Sequence, residues 1–227
     1  MAMTDIVEKI REALSIMLPP NVVFEVGPCA EITEELHPAE ALQATKYGSK
    51  RLVEFRASRT LARRLLIQLG QEPAAILNGE NREPIWPAGI AGTISHSGDV
   101  VIVALAHEQD VMSLGVDIEV RDSLKQDLWS KILCPQEIAF VEKLDDGEAG
   151  RLSLLFFSAK ESFYKAQFPL TRKFLSFDSI SLEKPDEERR LHFTIHDQET
   201  VDRLEGNDIE LRGISTATFA LSTCRVL

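Results

Sequence analysis

The sequence predicts a protein that mixes helices and strands, and three observations lead there. Residues 22–26, 100–106 and 113–120 are short apolar runs rich in β-branched side chains, as strands are. Residues 5–17, 38–69 and 151–168 carry apolar side chains at helical spacing instead. Hydrophobic residues make up 44% of the 227 and charged residues 27%, which is globular usage and excludes a disordered chain. A chain of this length fits one domain or two small ones.

Over residues 5–17, Ile6, Ile10, Leu14 and Met17 share a stripe, Asp5 can cap with Glu8 three residues on, and Pro19-Pro20 ends the helix. The strand at 22–26 is closed by Gly27-Pro28, and the helical region 38–69, broken near Gly48, is ended by Gly70. Residues 79–87 form a loop rich in Gly and Pro around Trp86, and 92–99 read as a loop at the mouth of the buried strand 100–106. Side chains alternate along 113–120, so Asp117 and Glu119 face one way while Val116, Ile118 and Val120 face the other. Residues 122–144 read as helical with a break at Pro135, and 145–148 as an acidic turn. The helix 151–168 is apolar nearly all round in its first turns and is therefore predicted to be buried. Residues 175–182, 191–195 and 216–224 have strand patterning, with a charged turn at 185–190.

The formal net charge of −11 argues against nucleic acid, whose backbone needs dense Lys and Arg. Locally the sign reverses. Between residues 43 and 70, Lys46, Lys50, Arg51, Arg56, Arg59, Arg63 and Arg64 meet a single acid, Glu54. Such a face is either solvated surface or a dock for phosphate, whose oxygens match guanidinium forks. Ser95-His96-Ser97-Gly98 offers small hydroxyls and loop backbone, the materials of an anion site, although a histidine is more often structural. The three cysteines (Cys29, Cys134, Cys224) are odd in number, far apart and without ligand spacing. They suggest neither a disulfide framework nor a zinc site, and the cytoplasm is the expected compartment. The N-terminus lacks a signal-peptide pattern and the longest apolar run is too short to span a bilayer, so no stable membrane association is expected.

Two carboxylates side by side on an apolar strand are costly to desolvate unless a cation lies between them, and oxygen ligands suit Mg²⁺. The plainer reading of Asp117 and Glu119 is the polar face of an edge strand. On the helix 151–168, Lys160 and Glu161 interrupt apolar surface, and Glu161 and Lys165 have the spacing of an ordinary i,i+4 ion pair. Burial argues that these charges have a task beyond pairing.

Gly115-Val116-Asp117-Ile118-Glu119, followed some forty residues later by Phe157-Ser158-Ala159-Lys160-Glu161-Ser162-Phe163-Tyr164-Lys165-Ala166, resembles the signature pair of the 4′-phosphopantetheinyl transferases. Glu83-Pro84-Ile85-Trp86-Pro87 and Ile94-Ser95-His96-Ser97-Gly98 resemble the siderophore-synthetase and surfactin-synthetase type of that family. The resemblance runs from about Lys46 to Leu175. It implies an α+β fold of two similar α/β subdomains, 1–111 and 112–227, forming a pseudo-dimer in one chain with the active site in the cleft. It implies a monomer whose partners are coenzyme A and an apo acyl or peptidyl carrier protein. A carrier serine would attack the β-phosphate of coenzyme A, taking phosphopantetheine and releasing 3′,5′-ADP. Asp117 and Glu119 would hold Mg²⁺, with the Ile118 carbonyl or a water filling a position. Glu161 would complete the metal shell or act as general base, Lys165 would neutralise pyrophosphate, and Lys160 would assist or only pair with a carboxylate. Coenzyme A contacts map onto Arg51 and Arg59, onto Asn81, Arg82, Glu83 and Pro84, onto Ser95 and His96 for the 3′-phosphate, and more weakly onto Lys46 as part of the same basic helix. Family members often carry an aromatic after the His motif, where this chain has Gly98-Asp99, which leaves that loop's geometry open. A metal-dependent nucleotide phosphodiester hydrolase and a non-catalytic coenzyme A or carrier-binding module are the alternatives.

Overall fold

The computed structural model describes residues 2–227. The chain divides into a first unit ending at Leu114 and a second unit, Gly115–Leu227. The division falls inside a strand, a few residues beyond the expected 111/112.

In the first unit, α1 (Met3–Met17) buries Ile10, Leu14 and Met17 along one face. It begins before Asp5, with Ala2 in the N-cap position, so Asp5 is a first-turn acid near the positive helix end rather than a cap. β1 (Val23–Pro28) comes next, then α2 (Pro38–Ala44) and α3 (Ser49–Gln68), separated at Gly48. β2 (Ile90–Ser97) and β3 (Val100–His107) complete an antiparallel sheet of order β1-β3-β2. Residues 92–97, expected as loop, are strand. Ser97 pairs with Val100, so Gly98-Asp99 is a two-residue hairpin turn. Gly98 has φ 61° while Asp99 is not left-handed, the pattern of a II′ turn that takes glycine first. This settles the geometry of the loop after His96. β3 is paired on both edges and has α3 against it, with Leu61, Leu65 and Leu66 meeting Val101, Val103 and Leu105 in one core.

The second unit repeats the plan of a three-stranded sheet with a long helix against it. β4 (Ser113–Glu119) is succeeded by α4 (Trp129–Ile132), α5 (Pro135–Val141) and α6 (Asp146–Thr171). Then come β5 (Ile180–Leu182), β6 (Phe193–Ile195), α7 (Gln198–Leu204), β7 (Ile209–Ser215) and β8 (Ala220–Val226). β4, β8 and β7 form the main sheet in that order, and β5 and β6 form a separate antiparallel pair. The expected acidic turn at 145–148 is the start of α6: Asp145 caps it by accepting from the Glu148 amide at 2.9 Å. The tail departs from its strand patterning in three places. Phe177–Ser179 is a 3₁₀ turn, and α7 and β7 occupy residues where no element was expected. α7 has seven residues and is started by Asp197, which accepts from the Thr200 amide at 2.8 Å. The core gathers Leu155, Phe156 and Phe163 of α6 with Leu211, Cys224 and Val226 of the sheet.

Gly115 explains how β4 sits so close to α6. A Cβ there would lie 1.9 Å from the carbonyl oxygen of Ser162, so any side chain would force strand and helix apart.

All three cysteines are free and buried. Burial pushes the Cys29 thiol up to about 12 and raises Cys134 and Cys224 as well. Thiolate is the reactive form, so a thiol reagent at pH 8 should find essentially no reactive cysteine in the folded chain and three in denaturant. Rapid modification of a native thiol would contradict this packing. Among the described residues, no helix is long and apolar enough to cross a membrane.

Candidate active site

In the second unit, β4 presents Asp117 and Glu119, and α6 presents Glu161 and Lys165. Asp117 is 5% exposed. Its Oδ1 accepts from Lys165 Nζ at 2.8 Å, and the same ammonium donates to the Val116 carbonyl at 3.0 Å. The strand is further pinned by Ser158, whose hydroxyl donates to the Asp117 carbonyl at 3.2 Å and meets Ser222 of β8 at 2.8 Å. Glu119 pairs with Arg121 at 2.9 Å. Desolvation, aided by the charges of Asp117 and Glu161, pushes its carboxyl up to about 7 despite Arg121 and Lys165. Glu161 is also raised, by burial first and by Asp117 in addition, against the lowering effect of Lys165. Glu161 and Lys160 line a pocket of about 140 Å³, whose wall also includes Phe163, Tyr164, Leu175 and Phe177.

The donor chemistry of this set suits a hard divalent cation. The donors are oxygens, and the three carboxylates stand near enough to destabilise one another's charge. They are not drawn to one point. Among the described residues, no three His, Cys, Asp or Glu side chains converge closely enough to hold an ion. Lys165 and Arg121 pair with Asp117 and Glu119 respectively.

Lys160, expected to assist coenzyme A or pair with a carboxylate, is placed by the structure in the second of these roles. It is 2% exposed. Its Nζ donates to Glu137 Oε2 at 2.7 Å, the Ile132 carbonyl at 3.0 Å and the Phe177 carbonyl at 2.9 Å. Glu137, equally buried, also accepts from the Cys134 and Leu182 amides at 2.6 and 2.8 Å. Lys160 therefore ties α4, α5, β5 and the turn before β5 to α6, from the wall of the pocket that Glu161 also lines.

In the first unit, Arg51 Nη1 lies 2.7 Å from His96 Nε2, and both approach Glu54, at 3.4 and 3.7 Å. Alternation along β2 puts the Ser95 side chain on the opposite face from His96, where it is buried. Arg59 is 3% exposed. Its Nε donates to the Ile76 carbonyl at 2.7 Å, and it bonds Ser58 and Asn78. Burial lowers its pKa to about 10. It braces the segment leading into the loop that carries Asn81, Arg82, Glu83 and Pro84. That loop is a tight hairpin: Asn78 bridges to Pro84, the Gly79 amide donates to the Glu83 carbonyl at 2.8 Å, and Arg82 takes φ 67°. Asn81 and Arg82 are exposed at its tip, and Glu83 folds back to accept from the Asn81 amide at 3.0 Å. Lys46 is not on the basic helix. It lies exposed in the turn between α2 and α3, where Gly48 separates the two. The basic face is also less positive than its composition: Arg63 is paired with Glu40, and Arg64 with Glu25 and Glu34. Sequence reasoning missed Tyr47 and Asn78, whose 2.9 Å hydrogen bond completes the Arg59 cluster.

Carboxylates that suit a divalent cation, a lysine among them and guanidinium groups elsewhere in the chain are the equipment of an enzyme that handles phosphate groups. Comparison with known proteins makes this specific. Residues 38–106 match the 4′-phosphopantetheinyl transferase N-terminal domain, and residues 113–223 match the 4′-phosphopantetheinyl transferase superfamily. The chain is 34% identical to 4′-phosphopantetheinyl transferase Npt of Nocardia iowensis, over 74% of this chain and 75% of that one. It is 36% identical to 4′-phosphopantetheinyl transferase PptT of Mycobacterium tuberculosis, over 72% and 74%. Enterobactin synthase component D of Escherichia coli is 36% identical over 60% of this chain and 65% of its own. A crystal structure of a holo-(acyl-carrier-protein) synthase from Bacillus anthracis, in complex with CoA (3′,5′-ADP), aligns with 51% of this chain and 96% of its own at 17% identity and a TM-score of 0.40. The chain belongs to the 4′-phosphopantetheinyl transferase superfamily.

Proposed function

We propose that phosphopantetheine is transferred from coenzyme A to a carrier-protein serine at the carboxylates of β4 and α6. The observation that carries this reading is the Asp117, Glu119, Glu161 and Lys165 set, in which burial and mutual repulsion hold Glu119 and Glu161 above the ordinary carboxylate range. Asp117 and Glu119 would hold a magnesium ion, which would supply positive charge against the pyrophosphate oxygens. Glu161 takes the proton of the attacking serine hydroxyl, and its raised pKa makes it a better base near neutral pH than an ordinary glutamate. Lys165 neutralises the pyrophosphate from which 3′,5′-ADP departs. The pocket beside Glu161 is narrow and mostly apolar, which suits the pantetheine arm. Within the first unit, Arg51, His96, Asn81, Arg82 and the exposed Lys46 are groups that suit phosphate or a nucleotide base. Arg59 and Lys160 position their neighbours.

Apo carrier protein with coenzyme A and Mg²⁺ should gain the mass of one phosphopantetheine arm in the presence of this chain. Release of 3′,5′-ADP with no carrier present would favour a hydrolase instead, and coenzyme A binding without turnover would favour a binding module.

A further inference from the structure

We infer that the second unit carries a further ligand site: a pocket beside the first turns of α6 that takes a small organic anion, its carboxylate or phosphate head held by Arg189 and Arg151 and its short apolar body by leucines of the helix. The pocket measures about 250 Å³. Cavities that enclose drug-sized ligands span ~300–1,000 Å³, so this ligand is smaller. From α6 the pocket takes Glu148, Arg151, Leu152 and Leu155, which lie three and four residues apart and share one stripe. Glu161 and Lys165 fall off that stripe, and the pocket that Glu161 lines has no residue in common with this one. The inference therefore stands apart from the transferase reading.

The charges of the wall select the ligand. Arg151, Lys184 and Arg189 stand there with two acids, Glu148 and Asp186. Asp186 is already engaged: it accepts from the Arg190 amide and from Arg190 Nε, each at 2.8 Å, and Arg190 holds its carboxyl below the ordinary range. Glu148 and Lys184 are exposed, offset each other, and are diluted by water. Arg151 and Arg189 are half-buried. Nη1 of Arg189 is shut off from solvent and, among the described residues, has no hydrogen-bond partner. A cation that has lost part of its water and gained no counter-charge is costly. An oxyanion in the pocket supplies that counter-charge, and a guanidinium fork matches it. The backbone is a second sign. Arg189 takes φ 64°, a left-handed conformation that a non-glycine residue adopts at a cost. It is kept there by its own amide, which donates to the Asp186 carbonyl at 3.0 Å, and by the Gly213 amide, which donates to its carbonyl at 2.9 Å. Much of the remaining wall is apolar, with Leu144, Leu152, Leu155 and Ile214. That favours an anion with a short hydrocarbon body over a bare inorganic ion.

The test is calorimetric titration of the full chain with hexanoate, butyl phosphate and uncharged hexanol, repeated on Arg189→Met and Arg151→Met. At least one anion should bind, the tighter of the two naming the head group, and hexanol should bind about tenfold more weakly or not at all. Arg189→Met should weaken anion binding by about tenfold or more, the effect of losing a charge-assisted hydrogen bond. The melting temperature of the ligand-free variant should not fall, because the guanidinium Nη1 has no partner to lose. Arg151→Met reports the same loss of affinity if Arg189→Met folds poorly. Saturating coenzyme A should leave hexanoate binding unchanged, which separates this pocket from a nucleotide site. Failure of both anions to bind, hexanol binding as tightly as the anions, displacement of hexanoate by coenzyme A, or full affinity in both variants overturns the inference. None of these outcomes bears on the transferase reading.

Discussion

Replacing Glu161 with glutamine should lower kcat for phosphopantetheine transfer by about 10²–10⁴-fold, the range spanned by a well-placed general base. The fold should not suffer. Burial raises the Glu161 carboxyl, with Asp117 adding to the shift, so the folded state disfavours the ionised form and a neutral amide of the same shape removes a strained charge rather than a support. The melting temperature should stay within about 2 °C of the parent, since changes that break no buried network lie within about 0.5 kcal/mol. Coenzyme A affinity should change far less than kcat, which separates a group acting on the serine proton from one that only binds. Near-parental kcat in a folded Glu161→Gln chain would remove Glu161 from the chemistry.

Lys160→Met should do the reverse, damaging the fold more than the reaction. The ammonium is the positive partner of Glu137, and both groups are essentially excluded from water. Removing it leaves a buried carboxylate with two amide donors but no counter-charge, a situation that typically costs about 3–5 kcal/mol. For a chain of this size that lowers the melting temperature by about 10 °C. Adding Glu137→Gln should recover part of the loss, because it removes the charge that the first change stranded. If Lys160→Met melts like the parent, the pair does not hold α4, α5 and α6 together. Lys165, a quarter exposed and bound to Asp117, is the contrasting case, whose substitution belongs with loss of rate.

The two lysines show what is legible in the sequence and what is not. Spacing alone places Lys160, Glu161 and Lys165 on one helix and cannot rank them. The partner that claims Lys160 stands on another helix, 23 residues back, and no local pattern announces it. The basic face of α3 misleads in the same way, because the acids that neutralise Arg63 and Arg64 come from Glu25, Glu34 and Glu40, outside the helix. By contrast, β4 and most of α6 are readable, since their apolar periods are strong and their motif residues are local. The chain's Gly115-x-Asp117 spacing also acquires a physical reason, for only glycine lets β4 approach Ser162 closely enough to set Asp117 against Lys165. β2 reads as a loop from its sequence because Gly92, Thr93, Ser95 and Ser97 hide its alternation behind small polar side chains. α7 is too short to produce a helical stripe and is fixed by a cap and by Lys173.

The sheet of the first unit has a consequence for the chain before it is folded. β3 offers seven consecutive apolar residues, Val100 to Ala106, all fully buried. While they are uncovered, such a run is well suited to pair with its own kind in other copies. The chain shortens that interval locally. The Gly98-Asp99 turn brings β2 onto one edge of the strand as a hairpin, with Ser97 beside Val100, a pairing that forms in microseconds in small hairpins. The other edge waits for β1, more than seventy residues earlier in the sequence, and acids at Asp99, Glu108 and Asp110 flank the run as gatekeepers. Damage to the hairpin turn would therefore show itself first as lost yield and aggregation during refolding, before any change in the chemistry of the finished enzyme.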